Sequence, residues 1–246
     1  SDLKNFGKEI KRTQVKIVKT NIGLFNKRPM VYMPGNNKSF GGPELNCSDQ
    51  ITNGVEKWVK AFKKSIGPSI NLAIDLNFNF KQDGFIKIGR CLDKYKLSWL
   101  EIDTHNPQVL KNIKNAVKTP ILSGESLYGT KAYKPFLDAG AFDYLSLDVI
   151  WNGISESKKI ADLSDLYEIN ISPHNYNGHL STFINMSLAL TTPNLFIAEI
   201  DYDDVPWINK IFSNKPNVKD GYFLPNNKPG WGCDIIEKNL NNYRIK

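Results

Sequence analysis

Three carboxylates sit at the ends of short apolar runs: Asp75 in INLAIDLN, Glu101 in WLEI and Glu125 in PILSGES. They are 26 and 24 positions apart, the length of one strand, a loop, a helix and a second loop. Three successive βα units would therefore each present an acid at one edge of a parallel sheet or barrel, and that edge is where such folds bind ligands. Carboxylates converging on one space repel each other unless a hard divalent cation neutralises them, and oxygen donors favour Mg²⁺ or Mn²⁺. The spacing predicts a metal site made by Asp75, Glu101 and Glu125.

The same period continues on both sides. Asp148 ends YLSLD, His174 ends INISPH and Glu199 follows LFIA, at further intervals of 23, 26 and 25 positions, and upstream Lys19 ends VKIVK. Seven strand-like segments thus each end in an ionisable residue.

The elements that must position these residues follow from hydrophobic period and turn residues. A helix is expected over 2–12, then a strand ending near Thr20. A Gly-, Pro- and Asn-rich insert over about 26–50 reads as a loop above the strand ends, and a helix over 54–67 has Val55, Trp58, Val59 and Phe62 on one apolar face. Strands are expected over 70–75, 98–102, 120–124, 143–148, 169–173 and 195–200. Helices are expected near 86–96, 106–117, 131–139, 155–167 and 180–190. The fold class is α/β, a single barrel domain over 1–205, for which 246 residues are enough. Because the chain opens on a helix, the first strand is expected to be absent or supplied elsewhere. Residues 206–246 read as a C-terminal arm packing on the barrel or on a missing neighbour.

Composition narrows the functional classes. The formal charge is +7, from 32 Lys and Arg against 25 Asp and Glu. The lysines are dispersed among acids and asparagines with no basic, aromatic-interleaved stripe, so a solvated surface that draws in anionic small molecules is expected rather than a nucleic-acid interface. No apolar run is long enough for a membrane span and no signal peptide is legible. Three isolated cysteines, Cys47, Cys91 and Cys233, fit a reducing compartment and the cytoplasm.

Taken together, Lys19-Thr20-Asn21, Asp75-Leu76-Asn77, Glu101, Gly124-Glu125-Ser126, Asp148, Pro173-His174-Asn175, Glu199 and the late DGYFLPNNKPGWG resemble the barrel domain of the enolase superfamily, mandelate racemase-like branch. The resemblance covers about residues 5–243. It implies a modified (β/α)7β barrel, here without its first strand and N-terminal capping domain. It also implies one Mg²⁺ on Asp75, Glu101 and Glu125, and removal of a proton next to a carboxylate.

It further implies that His174, oriented by Asp148, is the general base, since a carboxylate on one ring nitrogen raises the basicity of the other. Glu199 would share a proton with the substrate carboxylate and Lys19 would hold that carboxylate. Asn21 stands where the family carries a second lysine and Asn77 where some dehydratases carry a histidine, so both are expected to bind substrate rather than move protons. Tyr32, Lys27 or Arg28 of the insert are candidates near the leaving hydroxyl, beside a recycled proton on His174. His105 and His179 are expected as loop and helix-start residues.

With a base on one face only, elimination is the expected reaction: a Mg²⁺-dependent dehydratase acting on a small sugar acid, aldonate or aldarate, giving a 2-keto-3-deoxy acid. The alternatives are a racemase, epimerase or cycloisomerase of the same superfamily, or an incomplete, non-catalytic barrel. A homo-oligomer is expected, with no nucleic-acid or membrane partner.

Overall fold

The computed structural model describes residues 2–25, 29–32, 47–201, 205 and 207–243. Among them the fold is α/β, with a parallel sheet of six strands in the order Ile17–Asn21, Asn71–Asp75, Leu100–Glu101, Ile121–Ser123, Tyr144–Leu145 and Asn170–Ile171. The chain divides into two compact units, Ser1–Ser123 with Pro135–Asp143, and Gly124–Lys134 with Tyr144–Lys246.

In the first unit Leu72, Ala73 and Ile74 are all buried, so this strand is covered on both faces and reads as a continuous apolar run rather than an alternating one. Its register pairs Ile17 with Asn71 and Asn21 with Asp75 on one side, and Asp75 with Glu101 on the other. The helix Asp49–Ile66 buries Ile51, Val55, Val59, Phe62 and Ile66 at helical spacing. The Ser48 hydroxyl accepts from the Ile51 amide at its start, and Gly67 at φ +81° ends it. This helix begins five residues before its expected start because Ser48, not the later Gly54, caps it. Asp93 ties the next repeat together by accepting from the Lys118 and Thr119 amides and from the Thr119 hydroxyl, each at 3.0 Å.

Two sequence expectations are corrected. Part of the insert is strand rather than loop: Gly23–Phe25 pairs antiparallel with Pro29–Val31, and Pro29 takes the end position. Lys27, Arg28 and residues 33–46 lie outside the described residues. The strand expected over 195–200 is not formed. Leu195 makes an isolated bridge to Ile171, the Phe196 amide bonds the Ile171 carbonyl at 2.8 Å, and by Glu199 the bond to Pro173 has lengthened to 3.4 Å. Only Leu195 bridges in register, so the longer bond at Glu199 no longer extends a ladder.

In the second unit Tyr144–Leu145 pairs with Asn170–Ile171, and the ladder continues through a bridge between Asp148 and His174. The tail holds a two-stranded hairpin, Val218–Lys219 with Tyr222–Phe223. It docks on the helix Gly178–Leu190, with Phe223 edge-on to Phe183 at 5.5 Å and Asn209 bonded to His179 at 2.9 Å.

Candidate active site

Each unit presents a cluster of polar side chains at the C-terminal ends of its strands. In the first, Asp75 and Glu101 face each other in register and are 6% and 1% exposed. Two carboxylates so deeply placed need positive charge nearby, because low-dielectric surroundings disfavour the ionised form. Lys19 supplies some of it, its Nζ 2.9 Å from Glu101 Oε2 and 3.8 Å from Asp75 Oδ2.

Asp75 also organises the turn after its strand. Its Oδ1 accepts from the Asn77 amide at 2.9 Å while Asn77 takes a left-handed φ of +44°, a conformation asparagine tolerates. The Asn77 side-chain oxygen accepts from Asn21 Nδ2 at 3.1 Å, and the Asn21 carbonyl accepts from the Trp58 indole at 3.0 Å. Tyr32 is buried, stacked on Phe80 at 5.5 Å. His105 lies beside Phe78, with ring centroids 5.2 Å apart.

In the second unit Glu125 follows the strand Ile121–Ser123 on a turn, one step beyond Gly124. Gly124 has φ +118°, and a Cβ there would sit 2.6 Å from the Ser146 carbonyl oxygen. Gly124→Ala is expected to cost about 2–3 kcal/mol from backbone strain and this clash. Urea denaturation measures the loss, and a change below about 0.5 kcal/mol would show that the turn adapts freely.

Asp148 is fully buried and accepts four hydrogen bonds. Oδ1 takes the Ile150 amide at 2.7 Å and the Trp151 amide at 3.1 Å, capping the short helix Val149–Asn152. Oδ2 takes Asn177 Nδ2 at 3.2 Å and faces His174 Nδ1 at 2.8 Å. A carboxylate at this distance pairs with a ring N–H at Nδ1, and the second ring nitrogen, Nε2, is turned away from it. Nε2 lies 3.3 Å from Glu125 Oε2.

Glu199 Oε2 accepts from the Asn175 amide at 3.0 Å, and the Asn175 side chain is held by Ser181 and Thr182. The first unit therefore gathers Lys19, Asn21, Asp75, Asn77 and Glu101, and the second gathers Glu125, Asp148, His174 and Glu199. Asn152, Asn177, Tyr128 and Trp151 stand outside the strand-end period and carry no signal in it. Asn152 accepts from the Gly129 amide at 2.8 Å and donates to the Leu127 carbonyl at 3.3 Å, tying the loop after Glu125 to the helix after Asp148. Glu156 adds to the same tie by accepting from Thr130, whose hydroxyl first, and then whose amide, hold the Glu156 carboxyl at about 2, below its ordinary range.

A family model described as enolase C-terminal domain-like matches residues 10–239. The D-xylonate dehydratase of Haloferax volcanii is 26% identical over 202 residues, covering 81% of this chain and 47% of that protein. The D-gluconate/D-galactonate dehydratase of Picrophilus torridus is 29% identical over 205 residues, covering 80% of this chain and 52% of that protein. The chain spans about half the length of these curated relatives. A solved structure of a provisionally named L-alanine-DL-glutamate epimerase from Burkholderia xenovorans, bound to magnesium and fumarate, superposes with a TM-score of 0.94 at 37% identity. It covers 99% of this chain and 61% of that one.

Proposed function

The chain belongs to the enolase C-terminal domain-like family, and from that premise we propose that it is the catalytic part of a Mg²⁺-dependent sugar-acid dehydratase. The carrying observation is the His174–Asp148 pair, a buried carboxylate 2.8 Å from Nδ1 that leaves Nε2 as base. The two dehydratase relatives support the substrate class.

In this reading Asp75, Glu101 and Glu125 are the donor set that would hold Mg²⁺. All three are hard oxygen ligands, which suits that ion. Bound there, the ion would supply Lewis-acid stabilisation of charge developing on the substrate carboxylate.

The protein's own groups do the rest. Lys19 adds a fixed positive charge for the substrate carboxylate, and Asn21 and Asn77 offer amide hydrogen bonds to it. Nε2 of His174 takes the proton from the carbon next to the carboxylate, while Asp148 stabilises the imidazolium that results. Glu199 shares a proton with the carboxylate as its negative charge builds. The neighbouring hydroxyl then leaves as water, taking the proton back from His174, and the enol rearranges to a 2-keto-3-deoxy acid. The reading extends to a homo-oligomer in the cytoplasm, with a capping domain closing over the substrate.

Incubation with a panel of aldonic and aldaric acids and Mg²⁺ is expected to yield an α-keto acid from at least one, and chelation is expected to stop it. Mg²⁺ at a hundred times its Kd is also expected to stabilise the fold by about 2.7 kcal/mol, and Glu101→Gln to remove that gain. No keto acid from any member of the panel would refute the reading.

A second reading, an epimerase, is favoured by the 37% identity to the Burkholderia protein. Asn21 opposes it, because an amide does not remove protons. Uptake of solvent deuterium at the α-carbon without keto-acid formation would establish it instead.

A further inference from the structure

Two large aromatic side chains beside His174 are left to solvent by the fold. Tyr128 is 60% exposed and Trp151 is 45% exposed, yet their rings stack on one another, centroids 5.5 Å apart and planes 10° from parallel. The Trp151 ring is 6.3 Å from the His174 ring, tilted by 55°.

The pair is built into the second cluster by more than its own contact. Asp148 Oδ1 accepts the Trp151 amide and Asp148 Oδ2 faces His174 Nδ1, so one carboxylate places both the aromatic and the base. Tyr128 comes from the loop after Glu125, and Asn152, adjacent to Trp151, bonds the Gly129 amide and the Leu127 carbonyl on either side of it. Thr130, the first residue of the helix that follows this loop, is bonded to Glu156. An accidental surface ring has no such anchorage on both of its flanks.

Resting on the sugar-acid reading, we propose that Tyr128 and Trp151 are specificity-determining residues. They form an aromatic wall against which the substrate's carbon chain, beyond the carbon that gives up its proton, lays its C–H bonds. Aromatic faces are electron-rich and carbon-bound hydrogens are weakly positive, so the ring faces take the apolar side of a polyhydroxylated chain while its hydroxyls point away. Stacked in near-parallel planes, the two rings brace one another and hold an outer aromatic face beyond the base. The wall therefore favours long chains over short ones, because a three-carbon acid ends before it reaches the rings.

The test measures binding by calorimetry, with Mg²⁺ present, of a six-carbon and a three-carbon aldonic acid to the wild type and to Trp151→Ala, Tyr128→Ala and Trp151→Phe. The ratio of six-carbon to three-carbon affinity is expected to fall about tenfold in each alanine variant, the size of one lost aromatic contact. Trp151→Phe, which keeps a ring, is expected to restore most of that ratio. Equal losses on both acids, or an unchanged ratio, would overturn the wall while leaving the sugar-acid reading standing. Wild-type protein that ignores both acids but binds a 2-hydroxy acid bearing a phenyl group, with loss in Trp151→Ala, would overturn the sugar-acid reading and keep the wall. Wild-type protein that binds none of the three overturns both.

Discussion

Replacing His174 with asparagine is expected to lower kcat by about a thousandfold, the contribution of a positioned general base. Asparagine is close to histidine in size and keeps an N–H to offer Asp148, whose carboxylate faces Nδ1 at 2.8 Å in the native protein. Folding and Mg²⁺ affinity should therefore survive, and the loss should fall on the chemical step. Rapid-quench measurement of a single turnover, with Mg²⁺ binding followed separately, distinguishes the two. Dehydration retained within tenfold of the wild type would remove His174 from the mechanism.

Removing the carboxylate behind that base should damage the fold as well. Asp148→Ala leaves the Ile150 and Trp151 amides, Asn177 Nδ2 and His174 Nδ1 facing an empty space where a fully buried acceptor stood. Stranding several buried donors is expected to cost about 3–5 kcal/mol. Asp148→Asn separates structure from chemistry. Its oxygen still accepts from the two amides, but its NH₂ meets the N–H of His174 and forces the other tautomer, so stability should be largely kept while kcat falls. The expected order in urea is wild type, then Asp148→Asn, then Asp148→Ala. An alanine variant as stable as the asparagine variant would mean that the capping bonds contribute little.

The positions of the strand ends were legible because a βα repeat has a nearly fixed length, so acids about 25 residues apart return to one edge of the sheet. The register bears this out at Asp75 and Glu101, which are direct partners. Periodicity said less wherever a local bond sets the boundary. The helix Asp49–Ile66 starts at a serine cap, and the helix Gln82–Leu92 begins about four residues before its apolar pattern suggested. The segment after Asn194 is apolar enough to read as a strand, yet it makes only an isolated bridge at Leu195.

Tyr128 and Trp151 left no trace in the period because their places are set by turns and a four-residue helix. Their signal was chemical: each follows a site acid by three positions, just past a strand end where such folds bind ligands.

The pairing of Ile17 with Asn71 spans 54 positions, against 26 for Ile74 with Leu100. Loop-closure entropy grows only logarithmically, so doubling the intervening length costs about 0.6 kcal/mol, roughly one unit of thermal energy. Added length between these two strands therefore changes the cost of closing the sheet very little, while the buried face of the helix Asp49–Ile66 still ties the stretch to the core.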